Sequence, residues 1–208
     1  MSFSGTAEFF SARLGKLTAS RMAAAMDFTA KGLDTAKRAK LKKDLVAERM
    51  TDIVMSNFVS DAMRWGLETE ADAKAAYTRA TGNQVADCGV FDHYDIEWCA
   101  ATPDGLVNDD GLLETKCPET ATHIGWMMAG VVPEEHKPQM LLQLACTGRQ
   151  WVDFCSYDPR IKNPAQQLFV RRFYPKPEEI EMVEDAARLF LDEVEALFEL
   201  VTTTEVVA

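Results

Sequence analysis

A mixed β-sheet flanked by helices, with a helical N-terminal region ahead of it, is the α/β (α+β) fold class that this 208-residue sequence predicts. Three observations carry that expectation. Helical periodicity runs through about residue 82; short β-forming segments parted by turn signals occupy about 83–175, with a helical pair among them; and a long apolar stripe at helical spacing fills about 177–200.

In chain order, Thr18 and Ser20 precede the run from Arg21 to Met26 and are placed to cap a short helix. From Asp34 to Phe58, Leu41, Leu45, Val46, Met50, Ile53 and Val54 recur at helical spacing. Asp61 is placed to cap a helix reaching about Ala80, where Thr81-Gly82-Asn83 stops it. The period then changes. Residues 84–91, 97–107 and 111–117 are rich in β-formers and read as adjacent strands of one sheet, with Asn108-Asp109-Asp110-Gly111 as a turn. Two helices are expected at about 120–129 and 134–147, separated by Gly130 and Pro133, with Pro138 tolerated in the first turn of the second. Residues 150–157 and 166–174 read as two more strands. The last helix starts at about Glu178, and Ile180, Val183, Ala187, Phe190, Val194 and Leu197 form its buried stripe. With no repeat and no linker, the expectation is one domain over residues 1–208.

Composition narrows the function classes. Apolar residues at 47% and charged residues at 26% fit a folded soluble protein. No apolar run approaches the roughly 18 residues of a membrane span, and the start lacks a basic segment followed by an apolar one, so a cytoplasmic protein is expected. Cys88, Cys99, Cys117, Cys146 and Cys155 contain no CxxC pair, which argues against a disulfide framework, a zinc site or an iron–sulfur cluster. His93, His123 and His136 lack metal-ligand spacing and read as structural or exposed. Phe9, Phe10, Trp65 and Trp126 read as core. The net charge of −11 opposes phosphate binding, but its distribution does not. Residues 1–50 carry ten Lys/Arg against five Asp/Glu, whereas residues 177–208 carry one against ten.

One segment carries chemistry. Residues 100–117 set Asp104 at the end of one strand and Glu114 and Lys116 on the next. Side chains two apart on a strand share a face, so Glu114 and Lys116 project together, Thr115 turns its side chain away, and Asp104 reaches the same place across the hairpin. Two carboxylates and a backbone carbonyl, that of Thr115, are the hard oxygen donors that suit Mg²⁺. A lysine beside them suits phosphodiester hydrolysis, where it either binds the attacking water or stabilises the charge on phosphorus. The same letters occur in an ordinary Pro-Asp-Gly turn with a solvent-facing pair; Leu112, Leu113 and Cys117 around Glu114 place this pair at the edge of the core instead.

Five segments in order, RLGKLTAS at 13–20, WGLETEADA at 65–73, TPDGL at 102–106, LETKCP at 113–118 and YDPR at 157–160, resemble the lambda exonuclease (YqaJ-type viral recombinase) family of the PD-(D/E)XK, restriction-endonuclease-like nucleases. The resemblance implies a restriction-endonuclease-like core. It also implies an Mg²⁺-dependent exonuclease that digests one strand of linear double-stranded DNA 5′ to 3′, releasing mononucleotides and leaving 3′ single-stranded tails for phage-type recombination. Two Mg²⁺ ions per site, with Mn²⁺ as a substitute, a ring-shaped homotrimer and a single-strand annealing protein as partner are part of that implication, as is a phage or prophage origin. Position by position, it implies Asp104, Glu114, Glu70 and the Thr115 carbonyl as metal ligands and Lys116 as the catalytic lysine. Gln139 matches a glutamine near the attacking water, with Gln143 as a competing alignment. Arg13, Thr18, Ser20 and Thr102 match the pocket for the 5′ phosphate. Thr102 and Thr115 replace a serine and an aliphatic residue common in relatives, and the stretch from Pro118 to Gln139 departs in length. Two other readings fit the same residues: an endonuclease or junction resolvase on this core, and a non-catalytic DNA-binding protein.

Overall fold

The computed structural model describes residues 6–55 and 61–204. The chain opens with α1 (Ala7–Arg13), whose N-cap Thr6 accepts a hydrogen bond from the Phe9 amide. Gly15, at φ +68°, then turns it into β1 (Leu17–Thr18). A 3₁₀ turn over Ala19–Arg21 leads into α2 (Met22–Ala25). Thr18 makes no capping bond there; its hydroxyl and that of Ser20 instead accept from Arg13. Phe10 is likewise not core but half exposed.

Helix α3 (Ala36–Thr51) starts at the N-cap Thr35 and stops one residue before Asp52, whose left-handed φ of 55° breaks the ladder. Leu41, Leu45 and Val46 are buried as expected, whereas Met50, turned to the far side of the helix from Leu41, and Ile53, beyond its end, are exposed. Residues 56–58 of that pattern, and the capping side chain of Asp61, lie outside what is described. Helix α4 (Asp61–Thr81) ends at Gly82, φ +73°, which supplies the left-handed conformation a C-cap favours.

The strands form two sheets rather than one. β2 (Val85–Ala86), β5 (Gly105–Val107), β6 (Gly111–Lys116), β7 (Trp151–Tyr157) and β8 (Leu168–Phe173) make a mixed sheet in the order β2-β5-β6-β7-β8, in which only β6–β7 is parallel. β1, β4 (Cys99–Ala101) and β3 (Phe91–Asp92) make a second sheet in the order β1-β4-β3. Residues 97–107, expected as a single strand, are therefore split between the sheets at Thr102-Pro103-Asp104, where Pro103 has no amide to offer a ladder.

Between β6 and β7 lie α5 (Thr120–Ala129), a 3₁₀ turn over Glu134–His136 and α6 (Lys137–Thr147), close to the expected bounds, with Gly130 and Gly148 in left-handed C-caps. β7 is buried along its whole length, so both faces of the sheet centre are covered. Side-chain alternation sorts them: Leu112, Val152 and Phe154 pack on Met140 and Leu144 of α6, while Leu113 and Cys155 pack on Tyr77 of α4. The last helix, α7 (Pro177–Thr203), buries Val183, Ala187, Phe190 and Val194 against α2, α3 and α6. Arg38, almost wholly buried on α3, ties the two helices by pairing with Glu193 at 2.6 Å and with Asp34. All five cysteines are free, with Cys99 and Cys155 buried. Among the described residues no helix is long and apolar enough to cross a membrane.

Candidate active site

The site is built at the C-terminal end of β6, the inner strand that pairs antiparallel with β5 and parallel with β7. The β5–β6 hairpin sets the register. Asn108 (φ 47°) takes the turn, and Gly111 lies flat beneath Trp151, where a Cβ would sit 2.1 Å from the indole ring. Register then places Asp104 immediately before β5, with its amide donating to Leu113 O at 3.1 Å.

Glu114 points to the α6 face and is 1% exposed. Its Oε1 accepts from Lys116 Nζ at 2.5 Å and from Gln139 Nε2 at 2.7 Å, and its Oε2 accepts from Gln143 Nε2 at 2.5 Å. Lys116 also donates to Gln139 Oε1 at 3.3 Å. Four residues apart on α6, Gln139 and Gln143 share a face, and both reach Glu114. The Thr115 side chain does not simply turn away. Its hydroxyl and its amide both donate to Asp104 Oδ2, at 2.8 and 2.6 Å, because Asp104, just ahead of β5, lies alongside β6.

Burial, with the nearby charge of Glu114, pushes the Asp104 carboxyl up to about 6. Burial and the charge of Asp104 likewise raise Glu70, with Lys74 working against them. Burial opposes the charge on Lys116, yet Glu114 and Asp104 hold it above the ordinary lysine value. Asp104 and Glu70, each raised by a neighbouring carboxylate, mark a place short of positive charge, and a bound cation would relieve that. Two carboxylates suffice for Mg²⁺, which keeps much of its water, so the donor set fits. Glu70 is the departure: it pairs with Lys74 at 2.8 Å, and among the described residues no three His, Cys, Asp or Glu side chains converge as a ready cage.

The four residues expected to form an anion pocket do come together. Arg13 donates to Thr102 Oγ1 at 2.9 Å and to Thr18 Oγ1 and Ser20 Oγ, each at 3.4 Å, and it lies over the Phe9 ring at 4.7 Å. No carboxylate pairs with it among the described residues. Burial, and then the charge of Arg21, pull its guanidinium down to about 10, which leaves it charged at neutral pH.

The pocket rests on Glu48 of α3, which was not singled out from the sequence. Buried, it accepts from both terminal nitrogens of Arg21 and from the amides of Gly15 and Met55. Those bonds hold its carboxyl below the ordinary range although burial opposes them. The segment 157–160 acts as a clasp. Asp158, fully buried, accepts from Thr120 and Arg160, while Arg160 donates to Pro118 O at 2.7 Å and stacks over Trp65 at 4.8 Å. This fixes the chain where it leaves Lys116 for α5. Of the histidines, His123 is buried between Ser156 and the Gln166 carbonyl, and His136 stacks on Phe154.

Comparison with known proteins places the chain in a family. The profile of the YqaJ-like viral recombinase domain matches residues 8–150. The structure of an alkaline exonuclease (LHK-Exo) from Laribacter hongkongensis is 41% identical, covers 95% of this chain and 96% of its own, and superposes with a TM-score of 0.87. The same protein in complex with dAMP matches with 41% identity, a TM-score of 0.87 and coverage of 94% and 96%. A phage-related exonuclease from Haemophilus somnus 129PT, 12% identical with a TM-score of 0.66 over 87% of this chain and 95% of its own, shares the fold. No curated protein sequence matches.

Proposed function

The chain belongs to the YqaJ-like viral recombinase family, and from that premise we propose that it is an Mg²⁺-dependent exonuclease that digests one strand of linear double-stranded DNA from 5′-phosphorylated ends. The observation that carries the reading is the placement of a hydroxyl-lined, carboxylate-free arginine next to a pair of buried carboxylates and a lysine. Thr102 belongs to the first group and Asp104 to the second, with only Pro103 between them. An alkaline exonuclease that is 41% identical and was solved with dAMP supports it from outside.

In this reading Asp104, Glu114 and the Thr115 carbonyl would hold the cation, and Glu70, paired with Lys74 at 2.8 Å, would join them on giving up that partner. The bound cation supplies charge stabilisation for the phosphoryl group and an activated water. The residues of the chain do the rest. Arg13 holds the terminal phosphate by charge-assisted hydrogen bonds, with Thr18, Ser20 and Thr102 orienting the guanidinium. Lys116 stabilises the negative charge that builds on the phosphoryl oxygens. Gln139, bonded to both Glu114 and Lys116, steadies the pair beside the site of attack. Products are mononucleotides and a 3′ single-stranded tail, the substrate of a single-strand annealing protein in phage-type recombination. A ring-shaped homotrimer around the duplex and a cytoplasmic site of action complete the reading, and Mn²⁺ is expected to replace Mg²⁺.

The test is digestion of end-labelled linear duplex in Mg²⁺, beside a closed circular duplex. Linear DNA should shorten from the 5′ end and the circle should survive, while Lys116→Ala should lose activity by at least about 100-fold, as loss of a main charge stabiliser does. A variant as active as the parent would remove Lys116 from the chemistry, and a 3′ preference would overturn the polarity.

A further inference from the structure

Gln143 is a side chain that the chemistry above does not use. It lies one turn beyond Gln139 on α6, is fully buried between the buried Leu142 and Leu144, and donates from Nε2 to Glu114 Oε2 at 2.5 Å. Its own Oε1 is buried and has no hydrogen-bond partner among the described residues. A leucine or methionine would fill the same space without stranding an acceptor, and a stranded buried acceptor costs folding free energy. The amide is therefore justified by what its donor holds.

What it holds is the carboxylate plane of Glu114. The last torsion of a glutamate is broad and soft, so its donors decide which way the two oxygens face. The three donors divide the work. Lys116 and Gln139 share Oε1 and also bond each other, and Gln139 is partly exposed, so both are free to change partners when substrate enters. Gln143 is sealed in the core, bonds Glu114 alone, and holds Oε2.

We propose that Gln143 is a positioning residue that locks the Glu114 carboxylate in the orientation in which it binds the divalent cation; this rests on the reading of Glu114 as a cation ligand. Groups that orient a ligand from behind typically change cation affinity by about 10- to 100-fold when removed. Because Gln143 touches neither cation nor substrate, its loss should appear as weaker cation binding, with the rate at saturating cation largely recovered.

The experiment is Mn²⁺ binding to the full chain without DNA, followed by electron paramagnetic resonance, for the parent, Glu114→Gln, Gln143→Met and Gln143→Asn. Methionine keeps the volume and asparagine keeps the amide, but neither reaches Glu114. Both should bind Mn²⁺ about 10- to 100-fold more weakly than the parent while keeping its circular dichroism spectrum, and both should need correspondingly more cation for half-maximal digestion. If the parent binds Mn²⁺, Glu114→Gln does not, and both Gln143 variants bind as the parent does, the positioning role is overturned and the ligand reading stands. If neither Gln143 variant folds, the amide is structural and the proposal is likewise overturned. If the parent itself binds no Mn²⁺, the ligand reading falls and takes the proposal with it.

Discussion

Replacing Arg13 by alanine should abolish discrimination between phosphorylated and hydroxyl 5′ ends while leaving digestion of the hydroxyl end nearly unchanged. The size of the effect follows from the pocket. Arg13 spends its hydrogen bonds on three neutral hydroxyls, one at 2.9 Å and two at a long 3.4 Å, and among the described residues no carboxylate pairs with it directly, although the charges of Asp104 and Glu48 act on it from farther off. A terminal phosphate would replace the long bonds by charge-assisted ones. Hydrogen bonds to charged groups contribute about 1.5–3 kcal/mol each, and because the guanidinium must keep Thr102, one to two such bonds give about 3 kcal/mol. At 1.4 kcal/mol per decade that is roughly a 100-fold preference in kcat/KM for the phosphorylated end. The assay compares kcat/KM on two otherwise identical linear duplexes, one 5′-phosphorylated and one not. Arg13→Ala should bring the ratio close to one, and Arg13→Lys, which keeps the charge but loses the fork, should fall between. A fall of equal size on both ends would refute the reasoning, because it would make Arg13 a structural cation that secures Thr102.

Three further outcomes follow from the same structure. Gly111→Ala should destabilise the protein by about 1–3 kcal/mol or more in urea unfolding, since the new Cβ would meet the Trp151 ring at 2.1 Å in a strand with no room to shift. Asp104→Asn should be inactive, yet melt higher than the parent at pH 7 without cation, because it removes a charge that burial and Glu114 disfavour; added Mg²⁺ should raise the melting temperature of the parent and not of the variant. Asp158 and Glu193 as well as Glu48 are held below their ordinary values by arginine partners, against the opposing effect of burial. A carboxylate depressed in the fold contributes stability above its unfolded pKa and loses it as pH falls toward the folded one, so acid unfolding should set in below the ordinary carboxylate range of about 4. Glu48→Gln should be less stable at pH 7 and show a shallower acid limb.

Elements whose ends carry their own chemistry were legible in the sequence. Gly82 and Gly130 close α4 and α5 where they were expected to, and the stripe from Val183 to Val194 was enough for α7. The Glu114/Lys116 pair followed from strand alternation alone. What could not be read was the second sheet. β1 is two residues long and its parallel partner lies some 80 residues away, so no local pattern announces it. The same gap hid the behaviour of Thr115, whose neighbour depends on how the chain leaves β4 for β5. Glu48 was invisible for a related reason: an acid in a helix gives no sign of the loop it will hold. Gln143 differs, since four-residue spacing on a helix already set it on the face of Gln139.

The crossing between the two sheets has a consequence of its own. Thr102 belongs to the anion pocket and Asp104 to the carboxylates, and Pro103 between them has a fixed φ. Two peptide steps span at most about 7 Å, which is on the scale of one nucleotide along a strand. If the pocket seats the terminal phosphate and the carboxylates face the next one, the backbone itself is a ruler of single-nucleotide length. Each cut would then leave a fresh 5′ phosphate one ruler-length from the pocket, so that the product of one step is already measured for the next.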